Sequence, residues 1–140
     1  MKHFIILMLS TLTCSLCVAQ CPKNLLLKFS QVTEIRDEAR TPFKTEGIIR
    51  FSQDSILISS KVNGEDRVIE STIDSVSACA WNREIQNGMS SYSLSSSKIL
   101  GEPKDKATLI LTCENGKLMV TFKPPGAELQ FLITECKIIE

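Results

Sequence analysis

The dipeptide Asn115-Gly116 constrains the fold of this chain more than any other feature, because it joins two runs of β-favouring residues, 109–113 and 118–122. An Asn-Gly pair favours the type I′ turn, in which both central residues have positive φ, and this turn sets the register of a two-residue hairpin. That register places Leu111 opposite Val120, and every directly opposed pair on the same face is apolar. The sequence therefore predicts a hairpin with one face turned toward a core.

The segment after Pro124-Pro125, residues 127–139, has two interpretations. As a strand it places Phe131 opposite Val120 and continues the apolar face, and its β-branched and aromatic content favours this interpretation. As a helix it has apolar residues at helical spacing, at Leu129, Leu132, Ile133, Cys136 and Ile139. With a C-terminal helix the layout resembles pleckstrin-homology-like domains, which have seven strands and a closing helix; the resemblance implies a fold and no function.

Turn signals recur earlier in the chain, at Asn63-Gly64 and at Asn87-Gly88. They arrive roughly every 8–12 residues with no long helical period between them, which is the pattern of a sandwich or barrel. We predict an all-β fold, a small antiparallel meander barrel or sandwich of about seven to nine strands.

The first predicted strand alternates apolar and polar residues, and the polar stretch after it predicts a loop over 36–40. The alternation predicts that one set of side chains faces the core, namely Leu25, Leu27, Phe29 and Ile35.

Residues 1–19 have the layout of a secretory signal peptide, with Lys2 before an apolar run and small residues up to Ala19. The strongly apolar part is much shorter than the ~20 residues of a membrane-spanning helix, so we expect cleavage rather than anchoring. Acylation of Cys21 is an alternative, which the bulky Gln20 before it disfavours.

The remaining residues, 20–140, suit a single β domain with one core and no transmembrane segment. Basic and acidic side chains are balanced over the chain, 16 of each. Because neither sign dominates, electrostatic capture of nucleic acid or of an anionic membrane has no support. We expect a secreted or periplasmic protein of the cell envelope.

Four cysteines follow the predicted cleavage point, and an even number in an exported protein permits disulfides, with buried free thiols as the alternative. Cys21 and Cys136 lie near the two ends of the domain and would bridge if the first and last strands meet. Cys79 and Cys113 would then form a second pair or remain as buried thiols.

The only histidine is His3, inside the predicted signal peptide. The chain after cleavage therefore lacks the imidazole that activates serine or cysteine nucleophiles and that ligates zinc and iron. It also has no glycine-rich phosphate loop. We expect no enzyme activity, metal or cofactor, and a hydrolase that uses carboxylates alone is the least favoured alternative.

Four residues are candidates for ligand binding. Arg36, Arg40 and Lys44 could form a basic rim for an anionic ligand between the first two predicted strands. Acidic residues interrupt this rim, and the mixed charge favours a solvated loop instead. Trp81 is the only tryptophan, and it would either stack on a ligand or plug the end of the core.

These features predict a domain that acts by binding rather than catalysis, with a small or extended ligand or an envelope protein as its partner. A structural or interaction module with a filled core is the alternative, and an open apolar cavity would distinguish the two. For a protein partner, the hairpin register places Thr112, Met119 and Leu132 next to one another on the outward face.

Overall fold

The computed structural model describes residues 21, 23–81, 87–96 and 105–139, so the predicted signal peptide lies outside the described residues. Each strand pairs antiparallel with the next along the chain, and the last pairs with the first, which closes a barrel. The all-β prediction is confirmed. The eight strands are β1 (Leu25–Arg36), β2 (Ala39–Phe51), β3 (Ser55–Val62), β4 (Glu65–Trp81), β5 (Gly88–Ser96), β6 (Asp105–Glu114), β7 (Lys117–Lys123) and β8 (Glu128–Ile138).

The hairpin around Asn115-Gly116 has the predicted register. Both turn residues have positive φ, 51° and 77°, as the type I′ turn requires. Leu111 lies opposite Val120, and both side chains are 0% exposed in the barrel interior. The turn chemistry and the apolar pattern therefore specify the same pairing.

The segment after this hairpin is strand β8, so the helical alternative and the pleckstrin-homology-like layout that depends on it are wrong. Phe131 lies opposite Val120 on β7, as the strand interpretation predicts. The same strand continues along β1, where Val32 also pairs with Phe131. The apolar residues of this short segment fit both the helical and the strand period, so the pattern alone does not distinguish the two. The segment pairs with β7 on one side and with β1 on the other, which shows that it is a strand.

The first strand differs from its predicted alternation. A bulge between Phe29 and Gln31 shifts the register, and beyond it Val32 is the buried residue. Ile35, predicted to face the core, instead lies on the same face as Gln31, which is outward. One extra residue in a strand moves every later side chain to the other face.

The predicted loop over 36–40 is also wrong. β1 and β2 join through a two-residue turn, Asp37-Glu38, and β2 begins at Ala39. Both turn residues have positive φ, 47° and 67°. The sequence signal for this turn is weak because neither position carries the glycine that the conformation favours.

Asn63-Gly64 forms the predicted turn between β3 and β4, with positive φ at both residues. Asn87-Gly88 has a different role. Gly88 begins β5, and a side chain there would lie 2.5 Å from Cε3 of Trp81, so the glycine allows close packing. The side chain of Asn87 accepts a hydrogen bond from the backbone N–H of Asn115 at 3.0 Å, which ties β5 to the final hairpin.

Side chains from around the barrel fill its interior. Phe29 packs edge-on against Phe131 with ring centroids 4.9 Å apart, and Phe51 packs against Tyr92 at 5.5 Å. Ile73 and Trp81 of β4 pack against this cluster while only partly buried. The largest fully buried side chains are Phe51, Leu25, Leu27, Ile49, Ile56, Leu94, Leu109, Leu111 and Val120.

Candidate binding surface

A disulfide joins the N-terminal segment to β4, between Cys21 and Cys79, with Cα atoms 5.5 Å apart. The predicted partnership of Cys21 with Cys136 is therefore corrected. Although β8 does pair with β1, Cys136 lies directly opposite Leu27, and Cys21 precedes that strand and reaches β4 instead. Cys136 is exposed and Cys113 is buried, and neither belongs to this disulfide.

Trp81 is the last residue of β4, and its ring packs against the edge of the core. Its indole Nε1 is buried and meets no hydrogen-bond acceptor within the described protein. The close contact with Gly88 holds the ring in place. The ligand-stacking role and the role of plugging the end of the core both remain predictions.

The three predicted basic residues do not converge. Arg36 forms an ion pair with Glu34 on its own strand. Arg40 and Lys44 lie opposite Ile35 and Gln31, so they share the outward face but stand about 13 Å apart along β2. Arg36 has the alternate parity and lies on the other face of the hairpin. No focused positive site arises from these three side chains.

A cluster that sequence reasoning missed joins three strands on the outer surface. Asp74, Ser95 and Lys106 lie on β4, β5 and β6, far apart in sequence. The Lys106 Nζ lies 3.0 Å from a carboxylate oxygen of Asp74 and donates to Ser95 Oγ at 2.8 Å. Ser95 in turn donates to Asp74. No local motif connects these positions, because only the strand pairing brings them together.

The chemistry of this cluster favours a structural role. A serine activated by lysine needs a neutral amine beside the hydroxyl. Here Lys106 instead donates a hydrogen bond to the Ser95 Oγ and pairs with the Asp74 carboxylate, which is the geometry of a structural link. The cluster lies at the bulge of β4 between Ile73 and Ser75, and it links that bulge to β5 and β6.

The outer surface of five neighbouring strands carries no charged residue over two complete cross-strand rows, which we call the neutral face. Three of its side chains are large, apolar and well exposed: Met89 at 43%, Met119 at 38% and Leu132 at 53%. The predicted neighbours on the outward face are confirmed. The neutral face consists of Gln31, Leu132, Met119, Thr112 and Met89 in one row and Thr33, Gln130, Thr121, Ile110 and Ser91 in the other.

Oppositely charged pairs border the neutral face at both ends of β7. Lys117 lies opposite Glu114 at one end. At the other end Lys123 approaches Glu128 to 3.9 Å. Five strands at a spacing of about 4.8 Å make the face about 19 Å wide, and its two rows lie about 7 Å apart along the strands. The neutral face is thus a compact uncharged area with a rim of compensated charge.

Another part of the outer surface, which shares β8 and β1 with the neutral face, has a different chemistry. A shallow groove of about 470 Å³ crosses β8, β1, β2 and β3. It contains the Lys28–Glu135 ion pair, with 3.0 Å between the charged atoms, together with Lys61 and Asp66. Mixed charge gives this groove little net field, so it does not select a ligand of one sign.

Two buried hydroxyls lie inside the barrel on β5. Burial raises the pKa of Tyr92, and the neighbouring Ser90 hydroxyl offsets this rise only in part. Both hydroxyls are buried and meet no hydrogen-bond partner within the described residues. Partial burial of the thiol also raises the pKa of Cys136, and the nearby Cys113 raises it further. This keeps Cys136 protonated at neutral pH and makes it a slow nucleophile.

No family model matches the chain, and a comparison with curated proteins finds no match. The described residues include no helix with the length and hydrophobicity that crossing a bilayer requires. The same residues contain no group of three or more metal-ligating side chains. The basis for a functional proposal is therefore the distribution of side chains over the barrel surface.

Proposed function

We propose that this protein is an exported, non-catalytic interaction module that binds a partner protein through the neutral face. The observation that carries the proposal is the exposure of Met89, Met119 and Leu132 within an area that has no charged side chain. Aliphatic and aromatic side chains occupy the barrel interior, so the outer surface is the better supported place for a partner.

The composition of the neutral face supports a protein partner. The centres of protein–protein interfaces are depleted of charged residues and enriched in methionine, whereas their rims are polar. Methionine also adapts its shape to a partner, because its side chain is unbranched and flexible. The oppositely charged residues at both ends of β7 have the position of such a rim. A stable interface buries about 800 Å² per partner, so the neutral face would form its centre.

Export is supported by the disulfide between Cys21 and Cys79, because disulfides persist in oxidising compartments. The proposal of a cell-envelope or secreted location further depends on the layout of residues 1–19. The mass of the intact protein recovered from its natural host tests this directly. We expect a chain that begins at Gln20 without an acyl group, and a retained N-terminus would contradict export by cleavage.

Site-specific photo-crosslinking in the natural host tests the binding surface. A crosslinking side chain at position 112, inside the neutral face, should capture a partner, and one at position 50, on the outer surface of β2, should not. Met119→Lys and Leu132→Lys should each abolish capture, because a buried unpaired charge is costly at an interface centre.

Ile138→Lys is the matched control, since Ile138 is equally exposed and apolar but lies outside the neutral face. It should leave capture unchanged, and all three variants should keep the thermal stability of the parent protein. Equal crosslinking from position 50, or equal loss in the control, would argue against the neutral face. A crosslinked product of twice the chain mass would identify the partner as a second copy.

A further inference from the structure

Strand β4 is longer than either neighbour and pairs with them along different halves. Residues 65–72 pair with β3, and residues 72–81 pair with β5. Within the described part of the chain, the side of β4 that would face β5 is therefore unpaired over residues 65–71, which we call the β4 edge. The stagger of strands in a barrel produces such an offset, and it leaves alternate backbone N–H and C=O groups pointing away from the sheet.

The β4 edge lacks the features that protect an edge strand sterically. Proline residues and β-bulges commonly protect such edges from pairing with another chain. On β2, the stretch beyond the pairing with β3 includes Pro42, which has no N–H to offer. The β4 edge has neither proline nor glycine, and Val68 at its centre is 57% exposed. No described strand pairs with this edge, and its backbone groups have the geometry to pair with another extended chain.

The outward side chains of the β4 edge follow a symmetric pattern, Asp66, Val68 and Glu70. An added strand would place residues directly opposite these three on the same face. Opposite charges at the two ends and an apolar residue in the centre would complement the pattern. It reads the same in both directions, so a parallel or an antiparallel partner meets the same chemistry.

The same pattern disfavours a second copy of this chain. Two β4 edges paired about Val68 in an antiparallel ladder would place Asp66 of one copy opposite Glu70 of the other, twice. Like charges directly opposite each other destabilise a ladder. Acidic residues at an edge thus discourage self-association while they leave a basic partner favoured.

We propose that the β4 edge binds an extended segment of a partner protein by strand addition, with a basic–x–apolar–x–basic sequence opposite Asp66, Val68 and Glu70. Main-chain hydrogen bonds would supply the affinity and the alternate side chains the specificity. This site is separate from the neutral face, and its occupancy does not depend on the function proposed there.

The test uses isothermal titration calorimetry with the whole domain, residues 20–140, and two synthetic peptides. The first is Thr-Lys-Thr-Val-Thr-Lys-Thr, and the second replaces both lysines with glutamate. We expect the basic peptide to bind about tenfold more tightly than the acidic one, because two cross-strand charge pairs change sign. Hydrogen exchange of the amides in residues 65–71 should slow on binding.

Selective N-methylation separates strand addition from a simple charge contact. In an added strand, alternate amides point to the β4 edge and the others point to solvent. Methylation of one alternate set should abolish binding, and methylation of the other set should leave it within about threefold. A contact through side chains alone would respond equally to both sets, and that result would overturn the proposal.

Protein variants complete the test. Asp66→Lys combined with Glu70→Lys should reverse the preference toward the acidic peptide, and the control pair Glu46→Lys with Asp54→Lys should retain the original preference. If the lysine pair does not fold, Asp66→Asn with Glu70→Gln should remove the preference. Three results would overturn the proposal: no binding of either peptide, equal binding of both, or full protection of residues 65–71 in the free protein.

Discussion

Two turn residues, Asp37 and Glu38, hold positive φ in the tight connection between β1 and β2. For most side chains this conformation brings Cβ close to the following carbonyl oxygen, and it costs roughly 1–2 kcal/mol per residue. Aspartate tolerates it better than glutamate, because its short side chain hydrogen-bonds to the local backbone. The cost at Glu38 is the reason that the sequence signal for this turn is weak.

Glu38→Gly is therefore predicted to stabilise the protein. Glycine adopts positive φ without the Cβ contact, although its greater freedom in the unfolded chain removes part of the gain. We expect the free energy of unfolding to rise by about 0.5–1 kcal/mol, measured by urea denaturation. Gly116→Ala, which places Cβ at φ 77° in the final hairpin, is the reverse control and should destabilise by a similar amount. A decrease in stability for Glu38→Gly would contradict the turn geometry.

Tyr92 carries a second residue-scale prediction, on pH dependence. Burial raises the pKa of its phenol above the ordinary value of 10.0, so the folded state keeps the proton at a pH where the unfolded state loses it. The contribution to stability is therefore constant below about pH 10 and is lost as pH rises toward the folded pKa. In Tyr92→Phe, the free energy of unfolding should fall less steeply as pH rises through this range.

The measurement compares free energies of unfolding for the parent protein and Tyr92→Phe between pH 8 and pH 11. All other ionisable groups are the same in both proteins, so the difference between the two curves isolates the phenol. Because Tyr92 is the only tyrosine, its absorbance change also reports ionisation directly. Parallel curves for the two proteins would show that the phenol is not shielded from solvent.

At the scale of elements, β4 departs from regular pairing with β5. It has two irregularities against β5, between Ile73 and Ser75 and between Val76 and Ala78. Two tertiary contacts hold this part of the strand. The Asp74 cluster ties it to β5 and β6, and the disulfide at Cys79 ties it to the N-terminal segment. The irregular part of β4 is therefore held by a side-chain cluster and by a covalent cross-link near the end of the strand.

Removal of the disulfide tests this support. Cys21→Ser with Cys79→Ser should lower the free energy of unfolding by about 2–4 kcal/mol, because the cross-link closes a long loop in the unfolded chain. The separation of 58 residues places it among the longer loops. Urea denaturation with and without reductant gives the measurement.

Cys136→Ser is the matched control for this experiment, since Cys136 is exposed and lies outside the disulfide. It should change stability by less than about 0.5 kcal/mol. Reductant should destabilise the parent and the control but not the double variant. An equal response to reductant in all three proteins would exclude the disulfide as the stabilising link.

At the scale of the whole molecule, closure of the barrel makes one cooperative unit. β1 pairs with β2 and with β8 over nearly its full length, and long-range pairs of this kind dominate the fold. Leu27 on β1 and Leu111 on β6 are both 0% exposed, although they come from distant parts of the sequence. Loss of either side chain should therefore destabilise the entire barrel.

Leu27→Ala and Leu111→Ala should each lower the free energy of unfolding by about 2–5 kcal/mol. The transitions followed by Trp81 fluorescence and by far-ultraviolet circular dichroism should coincide, as expected for a two-state domain. Leu132→Ala, on the neutral face, is the exposed control and should cost less than about 1 kcal/mol. Separate transitions for the two probes would show that part of the barrel unfolds independently.

The candidate surfaces were only partly predictable. Thr112, Met119 and Leu132 follow from the register of the last three strands, which local turn chemistry sets. Met89 joins them because β5 pairs with β6, a contact that depends on the rest of the barrel. The basic residues Arg36, Arg40 and Lys44 were candidates for a shared rim, and the strand register separates them.

The sequence by itself determined that the chain forms β-strands and how its final hairpin pairs. The alternation of side chains and the backbone sterics of Asn-Gly act over a few residues, so both can be recognised within a short stretch of sequence. The tertiary structure decided the closure of β8 on β1, the change of parity at Phe29 and the partner of Cys21. Each of these depends on residues distant in sequence, where a single bulge changes which side chains meet.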